Sequence, residues 1–236
     1  MKKLTDVHQH LLWGIDDGPE DQQTTFALLS AAKEQNIGRI FATPHACPGF
    51  RPFDMGLYRA RLDEARAYCR ENALGIELCS GAEIAWTYHT VHALERGKVP
   101  TLGGKDCALI ELRPDASWAQ VYDAAEQLLH AGITPLFAHV ERCRCFTLQP
   151  GEALRLKDRM DVFYQVNAST VLGGGGFFTK RFLKRMLKER AIDAVASDAH
   201  NCGSRPQRLG EAYDVLVAQC GQEYADALLH FSEVTP

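Results

Sequence analysis

Histidine and carboxylate side chains recur along this chain directly after short apolar segments. Most steps between them are roughly 28 to 38 residues, the length of one β-strand and its following helix. Imidazole and carboxylate groups are suitable ligands for zinc, manganese and iron. The spacing therefore predicts that successive strands carry ligands to one metal centre. In chain order, the polar residues at or just after the predicted strand ends are His8 and His10, His45, Glu83, Glu111, His139, Asn167, and Asp198 with His200.

Two short motifs and one interrupted strand strengthen this interpretation. His8-Gln9-His10 and Asp198-Ala199-His200 are both pairs at i and i+2. On an extended chain such pairs point to one side, so each can present two ligands to a common centre. Glu111 interrupts the apolar segment Ala108–Leu112. A carboxylate in a buried strand is costly unless it is paired or bound to metal.

Each histidine also has a simpler explanation. A lone histidine such as His45 is more often a structural polar residue than a ligand. Four others fall in predicted helices and are interpreted as ordinary helix residues: His89, His92, His130 and His230. Coincidence can explain one strand end with a ligand-type residue, but it is a poor explanation for six in order.

Short β-type segments alternate with longer amphipathic segments. The predicted strands are Leu4–His8, Arg39–Thr43, Ile76–Cys79, Ala108–Leu112, Thr134–Ala138, Val162–Val166 and Ala194–Ala196. The predicted helices are Glu20–Gln35, Leu57–Asn72, Trp118–Ala131 and Thr179–Arg190, with Ser117 as an N-cap. This alternation predicts parallel strands in an α/β fold, and seven repeats favour a barrel over an open sheet. Barrel active sites lie at the carboxyl ends of the strands, where the ligand-type residues fall.

Composition limits the class of protein. The chain has 236 residues, 46% hydrophobic and 24% charged, and a formal net charge of -4. We expect one domain over residues 1–236, with no general attraction to nucleic acid or to an anionic membrane. No apolar stretch reaches the roughly 18 residues of a membrane span, and the polar start at Met1–Asp6 does not resemble a signal peptide. The eight cysteines form no CxxC pair, so we expect reduced thiols and a cytoplasmic protein.

Several motifs together resemble a known superfamily. Asp6-Val7-His8-Gln9-His10 followed by Gly14-Ile15-Asp16-Asp17-Gly18 resembles the opening of the PHP (polymerase and histidinol phosphatase) superfamily. More narrowly, the chain looks like the CpsB/CapC-type, or YwqE-type, bacterial protein tyrosine phosphatases. The resemblance continues through Ala42–His45, Gly81–Glu83, Ala138–Arg142 and Ser197–His200. Asp16-Asp17-Gly18 is its most discriminating element. One departure is Ala46–Phe50, where close relatives often have a second histidine, and it affects the expected substrate rim.

The resemblance implies a distorted (β/α)7 TIM-like barrel that holds three divalent metals, with manganese expected and iron or zinc as alternatives. It assigns His8, His10, Glu83 and Asp198 to the first metal, and Glu83, Glu111 and His139 to the second. It assigns Asp17, His45 and His200 to the third, and it associates Arg142 and Arg205 with phosphate binding. The implied substrate is phosphotyrosine in a protein, such as the tail of a bacterial tyrosine autokinase that controls capsule or exopolysaccharide assembly.

This ligand set would suit phosphate chemistry. Three divalent ions exceed the charge of the four carboxylates and leave the pocket at about +2, which complements a phosphate dianion. A coordinated water with a lowered pKa would supply hydroxide for in-line attack on phosphorus, and the two arginines would add charge-assisted hydrogen bonds. The alternative for each arginine is a surface ion pair. Four aromatic residues could flank a phosphotyrosine ring or simply pack: Trp13, Phe50, Phe53 and Trp86.

Three other functions stay open at this point. Cys107 with Arg113 and Cys202 with Arg208 both match the Cys-x5-Arg spacing of a cysteine phosphatase. Cys107 lies in a predicted apolar strand, and Pro206 removes a backbone donor from the second loop. The second alternative is a PHP-type phosphatase for a small molecule such as histidinol phosphate. The third is a non-catalytic module that regulates a partner. Gly173–Gly176 lacks the Gly-Lys-Ser/Thr ending of a P-loop and is interpreted as a mobile loop.

Overall fold

The computed structural model describes residues 3–231, so residues 1–2 and 232–236 of the predicted domain lie outside the described part. Its strands are β1 Leu4–Gln9, β2 Ile37–Ala42, β3 His45–Ala46, β4 Glu77–Ser80, β5 Glu83–Ala85, β6 Cys107–Glu111, β7 Thr134–Phe137, β8 Phe163–Asn167 and β9 Ala194–Ala196. Its α-helices are α1 Gln22–Glu34, α2 Met55–Glu71, α3 Thr90–Glu95, α4 Trp118–His130, α5 Arg144–Leu148, α6 Pro150–Arg159, α7 Ala168–Val171, α8 Phe177–Lys188, α9 Leu209–Cys220 and α10 Gln222–Leu228. Short 3-10 turns cover Leu102–Gly104 and Val140–Arg142.

The strands form a curled parallel sheet. They pair in the orders β1-β2-β4 and β3-β5-β6-β7-β8-β9, and every recorded pair is parallel. β2 and β3 are one path interrupted at residues 43–44, and β4 and β5 are one path interrupted at residues 81–82. The sheet therefore has seven strand paths, which confirms the predicted (β/α)7 barrel. The seven predicted strands are also confirmed to within two residues at each end, but β3 and β5 were not predicted.

Local chemistry explains the two interruptions. Pro44 has no N–H group and cannot continue the ladder. The Tyr58 hydroxyl from α2 enters the gap, where it donates to the carbonyl of Ala42 at 3.0 Å and accepts from the Gly81 N–H at 2.9 Å. A Cβ on residue 81 would lie 2.8 Å from Thr43 Cγ2, so the close approach requires glycine. The interruptions let the chain turn before β3 and β5, whose first residues are ligand candidates.

The barrel closes between its first and last strands. The Asp198 N–H donates to the carbonyl of His8 at 2.9 Å, and the His10 N–H donates to the carbonyl of Ala199 at 3.0 Å. Gln9 and Ala199 form an isolated parallel bridge. Both i, i+2 motifs therefore lie side by side at the seam that joins the two ends of the sheet.

Helices cover the outside of the sheet. The four predicted helices correspond to α1, α2, α4 and α8, and Ser117 is confirmed as the cap of α4, where a complete capping box with Gln120 is present. The helix expected around His89 and His92 corresponds to α3, whereas His230 lies just after α10, and no bounds were predicted for the remaining helices. Gly173–Gly176 connects α7 to α8. Within residues 3–231, no helix combines the length and apolarity needed to cross a membrane.

The barrel interior changes from apolar to polar along the strands. In β6, Cys107 and Leu109 belong to a small apolar cluster built mainly from strands, and Glu111 follows on the same side of the strand. In β9, Ala194 and Ala196 belong to the same cluster, and Asp198 follows in the same alternation. The carboxyl ends of the strands therefore carry the polar groups above an apolar floor.

Candidate metal centre

The nine predicted ligand residues converge at this end of the barrel, and the buried Glu83 carboxylate lies at their centre. Glu83 Oε2 lies 3.0 Å from His45 Nδ1, 3.1 Å from His10 Nε2 and 3.3 Å from His8 Nε2. The other oxygen, Oε1, is 2.6 Å from His139 Nε2. One carboxylate thus contacts four imidazoles from three strand ends, those of β1, β3 and β7.

Asp198 forms a second meeting point at the seam. Its Oδ1 atom is 3.6 Å from Nε2 of both His8 and His10. Its Oδ2 accepts a hydrogen bond of 2.8 Å from the Asn167 side chain. Asp198 and His139 both have positive φ angles, 52° and 29°, in a region of backbone conformation that residues other than glycine seldom adopt. Such strain costs on the order of 1–3 kcal/mol and commonly marks functional sites.

A more open group lies at the mouth. Asp17 Oδ1 is 3.2 Å from His200 Nε2 and 3.4 Å from His45 Nε2. His10, Asp17, His45 and His200 can place one ligand atom each within 4.8 Å of one another. The same holds for His8, His10 and Asp198, and for His45, Glu83 and Glu111.

These three groups overlap the expected three-metal assignment but divide the residues differently. His10 belongs to two groups, whereas the resemblance gave it to one metal. His45 joins Glu83 and Glu111 as well as Asp17. His139 reaches the cluster through Glu83, and its Nε2 is 3.9 Å from Glu111 Oε1. The nine side chains form one continuous cluster rather than three separate sites.

The donor set fits divalent cations. Four carboxylates and five imidazoles supply only oxygen and nitrogen ligands, the type preferred by manganese, iron and zinc. Two buried atoms in the cluster, Glu83 Oε2 and His200 Nε2, lie close to other ligand-type atoms, but within the described residues none of these contacts has the geometry of a hydrogen bond. Buried polar atoms without partners are unusual, and both are directed toward other ligand-type groups.

Proton affinities in the cluster are strongly shifted. Burial alone would raise the pKa of Glu83, but the surrounding imidazoles outweigh it and hold that pKa well below its usual range. Burial lowers the pKa of His10, yet the adjacent carboxylates of Asp16 and Glu83 prevail and raise it to about 10. Burial and the charges of His10 and Arg205 lower the pKa of His200 to about 4. Glu83 and His200 are thus in the deprotonated forms that ligands require, whereas His10 would have to release a proton.

Two residues that orient the ligands were not predicted as site residues. Asp16 Oδ2 lies 2.6 Å from His10 Nδ1 and accepts from the backbone N–H of His45 at 2.9 Å. Gln165 Oε1 lies 3.2 Å from His8 Nδ1 and accepts from the His139 N–H at 2.8 Å. Residues of this kind fix ring orientation and tautomer. Gln165 could have been found by the signal that revealed Glu111, a polar residue within an apolar strand.

Both predicted arginines lie at the cluster. Arg142 Nη2 is 2.7 Å from Asp198 Oδ2, and Arg205 Nη2 is 3.1 Å from Asp198 Oδ1. Arg205 Nη1 is also 3.4 Å from Asp17 Oδ2. Both side chains are partly exposed, so each guanidinium has one part against the cluster and another toward solvent. They are therefore not isolated surface ion pairs.

The Cys-x5-Arg pairs lie elsewhere and do not assemble a phosphate site. Cys107 is buried at the start of β6, the opposite end of the strand from Glu111, and Arg113 pairs with Asp115. Cys202 is exposed, but the neighbouring protein atoms partly desolvate its thiol and raise its pKa, which does not favour a thiolate. Arg208 is engaged with Glu211 at 2.7 Å. All eight cysteines are free thiols in the structure.

The aromatic candidates divide into packing and exposed residues. Trp13 is buried beneath Arg61, whose guanidinium carbon is 4.5 Å from the ring centroid. Phe53 and Trp86 pack partly against the core, whereas Phe50 is largely exposed. The four histidines interpreted as ordinary residues lie outside the cluster: His89 at the start of α3, His92 within it, His130 at the end of α4, and His230 after α10.

A parallel barrel whose strand ends carry a His, Asp and Glu cluster flanked by arginines defines a metallohydrolase-type site. Comparison with known proteins then narrows this class. The sequence profile described as "Capsular polysaccharide synthesis, CpsB/CapC" matches residues 4–233, and the chain belongs to that family.

Two relatives named as tyrosine-protein phosphatases match nearly the whole chain. The chain is 30% identical over 230 residues to the tyrosine-protein phosphatase CpsB of Streptococcus pneumoniae, covering 95% of this chain and 94% of the relative. It is 28% identical over 235 residues to the tyrosine-protein phosphatase YwqE of Bacillus subtilis, covering 98% and 91%.

Solved structures agree as well. A chain from the crystal structures of Bacillus subtilis YwqE and Streptococcus pneumoniae CpsB, described as unique metal-dependent tyrosine phosphatases, superposes with a TM-score of 0.87 at 27% identity and covers 95% of this chain and 91% of that chain. A β-aspartyl dipeptidase from Fervidobacterium islandicum superposes with a TM-score of 0.53 at 12% identity, covering 96% and 70%, and shows similarity of fold alone.

Proposed function

We propose that this chain is a metal-dependent protein tyrosine phosphatase, working as one domain over residues 1–236. The observation that carries the proposal is the nine-residue ligand cluster with two arginines at its edge. The tyrosine phosphatases named above support it, because they match nearly the whole chain and not only a motif.

The proposed cofactors are three divalent ions, with manganese preferred over iron or zinc. Glu83 would hold metal at the centre of the cluster, because both its oxygens lie close to imidazole nitrogens of other proposed ligands. Divalent ions in such a cluster lower the pKa of water and withdraw charge from a phosphoryl oxygen. The proposed ligands are His8, His10, Asp17, His45, Glu83, Glu111, His139, Asp198 and His200.

Arg142 and Arg205 are proposed to bind the phosphate. Both hold Asp198, so their positions are fixed before substrate arrives. Because each is also partly exposed, its remaining N–H groups can donate to phosphate oxygens at the mouth. Charge-assisted donors of this kind stabilise a phosphoryl group most when its negative charge increases, as in the transition state.

The proposed substrate is phosphotyrosine in a flexible protein segment, such as the tail of a tyrosine autokinase that controls capsule or exopolysaccharide assembly. The cluster extends from the fully buried Glu83 to the exposed Asp17, so the phosphate must enter a recess. Phosphotyrosine is long enough to do so, and its phenol has a pKa of about 10, which makes it an easier leaving group than a serine alkoxide. A kinase tail would place the enzyme in the cytoplasm, where free thiols are usual.

The test begins with protein purified without chelator. Elemental analysis should find bound divalent metal, chelation should abolish phosphatase activity, and manganese should restore it. The reconstituted enzyme should then show a higher kcat/KM for phosphotyrosine peptides than for phosphoserine peptides or histidinol phosphate. Full activity in metal-free protein would refute the metal mechanism. A preference for histidinol phosphate would refute the substrate assignment and leave the metal mechanism intact.

A further inference from the structure

Helix α8 has one buried apolar face and one exposed cationic face. Its buried residues are Phe182, Leu183, Met186 and Leu187. Its exposed residues include Lys180, Arg181, Lys184, Arg185 and Lys188. The helix contains no acidic residue, so it carries five positive charges on a chain whose formal net charge is -4. Net charge alone predicted no attraction to anionic membranes, but it conceals this local concentration.

These cations have no acidic partner recorded within residues 3–231. Glu152 lines the same depression as Arg181 and Arg185 but pairs with Arg155 of its own helix, α6. Lys180, Lys184 and Lys188 line a depression of about 540 Å³ on one side of α8. Arg181 and Arg185 line another, of about 300 Å³. The positive charge therefore extends across the whole exposed width of the helix and is not gathered in one groove.

Large apolar side chains are exposed at the same place. Phe177 is 74% exposed and Phe178 is 52% exposed, and their ring centroids are 5.6 Å apart. Leu148, at the end of α5, is also exposed and lines the same depression as Arg181. Only five large hydrophobic residues are this exposed in the described part of the chain, and three of them lie here. Adjacent exposed apolar residues with a polar rim indicate an interaction surface.

We propose that α8 docks onto an anionic lipid bilayer. Phe177 and Phe178 would enter the headgroup region, and the five cations would contact lipid phosphates. The apolar face of α8 is occupied by the protein core, so binding would use the exposed cations and the two aromatic residues; clusters of roughly four to eight Lys and Arg residues on a helix are typical of binding to anionic lipid. A bilayer suits this surface better than an acidic peptide does, because cations flank the helix on both sides and a plane can contact them together.

Docking in this way would bring the catalytic mouth to the lipid surface. The chain reaches α8 from β8 through α7, and the Thr170 hydroxyl of α7 donates to Glu141 at 2.9 Å, beside Arg142. Phe177 and Phe178, in the first turn of α8, therefore lie toward the catalytic end of the barrel. The docking itself does not depend on the proposed function. Only its benefit, access to phosphotyrosine segments close to a membrane, rests on the proposed function.

The experiment is vesicle co-sedimentation of the full metal-loaded chain. We expect binding to vesicles that contain phosphatidylglycerol, weak binding to pure phosphatidylcholine, and loss of binding at high salt. A triple variant, Lys180→Gln with Lys184→Gln and Lys188→Gln, should weaken binding by on the order of 100-fold, since each cation near an anionic surface contributes about 1 kcal/mol. Phe177→Ser with Phe178→Ser should weaken binding at low salt as well, because the apolar contact with the headgroup region is lost.

The matched control is Phe50→Ser with Tyr88→Ser, which removes two other exposed aromatic residues and should leave vesicle binding unchanged. The α8 variants should keep full activity on a small aryl phosphate, which shows that they fold. Equal binding to both vesicle types would overturn the proposal, as would α8 variants that bind like the parent. Tighter binding to a polyglutamate peptide than to vesicles would assign the surface to an acidic protein instead.

Discussion

The proposed metal centre has a buried half and an exposed half, and the two are built differently. His8, His10, Glu83 and Asp198 are almost inaccessible to solvent. By contrast, the side chains of Asp17 and His45 are 57% and 39% exposed. The buried half is held by neighbours that are not themselves proposed ligands, Asp16, Gln165 and Asn167. The exposed half has less of this support, so its geometry depends more on what is bound there.

The difference has an electrostatic cause. A buried carboxylate is tolerated only when it is paired and hydrogen-bonded. Glu83 satisfies this through its imidazole contacts, which lower its pKa despite burial. Glu111 lies nearer the mouth, where burial and the charge of Glu83 raise its pKa. The buried half therefore carries fixed negative charge, and the exposed half can respond to ligands.

Replacing Glu83, at the centre of the buried half, should have the largest effect on metal binding and activity. Glu83→Gln removes the charge that four imidazoles share, so we expect loss of bound metal and a fall in kcat/KM beyond the roughly 10²–10³ of a single transition-state donor. The measurement combines elemental analysis with phosphopeptide kinetics. Glu77→Gln is the control, because Glu77 lies on neighbouring β4 and its exposed carboxylate contacts Arg39 and Cys79 rather than the cluster. Retention of full metal content in the Glu83 variant would contradict the central role of this residue.

Arg142 lies at the edge between the two halves, and its replacement tests whether it binds the phosphate. Arg142→Ala should lower kcat/KM by roughly 10²–10³, because one donor to the phosphoryl group is lost, while bound metal stays unchanged. Arg144→Ala, an exposed arginine two residues away, is the matched control. Unchanged kinetics would assign Arg142 a structural role as the partner of Asp198.

Asp17 tests the exposed half. Asp17→Asn should reduce activity by roughly 10–100-fold, and excess manganese should recover much of it, since water can replace a ligand at an exposed position. Titrating manganese into chelated variants separates the two halves, because the Glu83 variant should not recover. Asp63→Asn, another exposed aspartate, is the control. If excess manganese restored both variants equally, the distinction between the halves would be wrong.

The sequence predicted the barrel and the convergence of the ligand residues because both follow from spacing. A strand and helix of fixed length bring each strand end to the same face, whatever the details of packing. Ser117 was predicted for a similar reason, since a helix cap depends on neighbours in the sequence. Such features depend on local chemistry and repeat length alone.

Other features depend on contacts between distant residues and could not be predicted. The gaps before β3 and β5 exist because Tyr58 reaches them from α2. The different roles of adjacent Asp16 and Asp17 arise because only Asp16 meets His10 at hydrogen-bond distance. Likewise, the sharing of His10 between two ligand groups follows from the closure of the barrel at β1 and β9.

The smallest effect is expected from the thiols that match Cys-x5-Arg. Cys202→Ser should leave kcat/KM within about twofold, as is usual for surface changes of about 0.5 kcal/mol or less. Cys107→Ser tests the second match, although its burial could reduce stability, so its folded fraction must be measured first. The physical reason is position: neither Arg113 nor Arg208 is available to share a phosphate with its cysteine, because each pairs with its own carboxylate.

The measurement for both cysteine variants is steady-state kinetics on a phosphotyrosine peptide with manganese present. A loss of several orders of magnitude in correctly folded Cys202→Ser would show that a thiolate attacks phosphorus, and the buried half of the cluster would then need a structural explanation. Vanadate inhibition cannot replace this test, since vanadate resembles phosphate at both kinds of site.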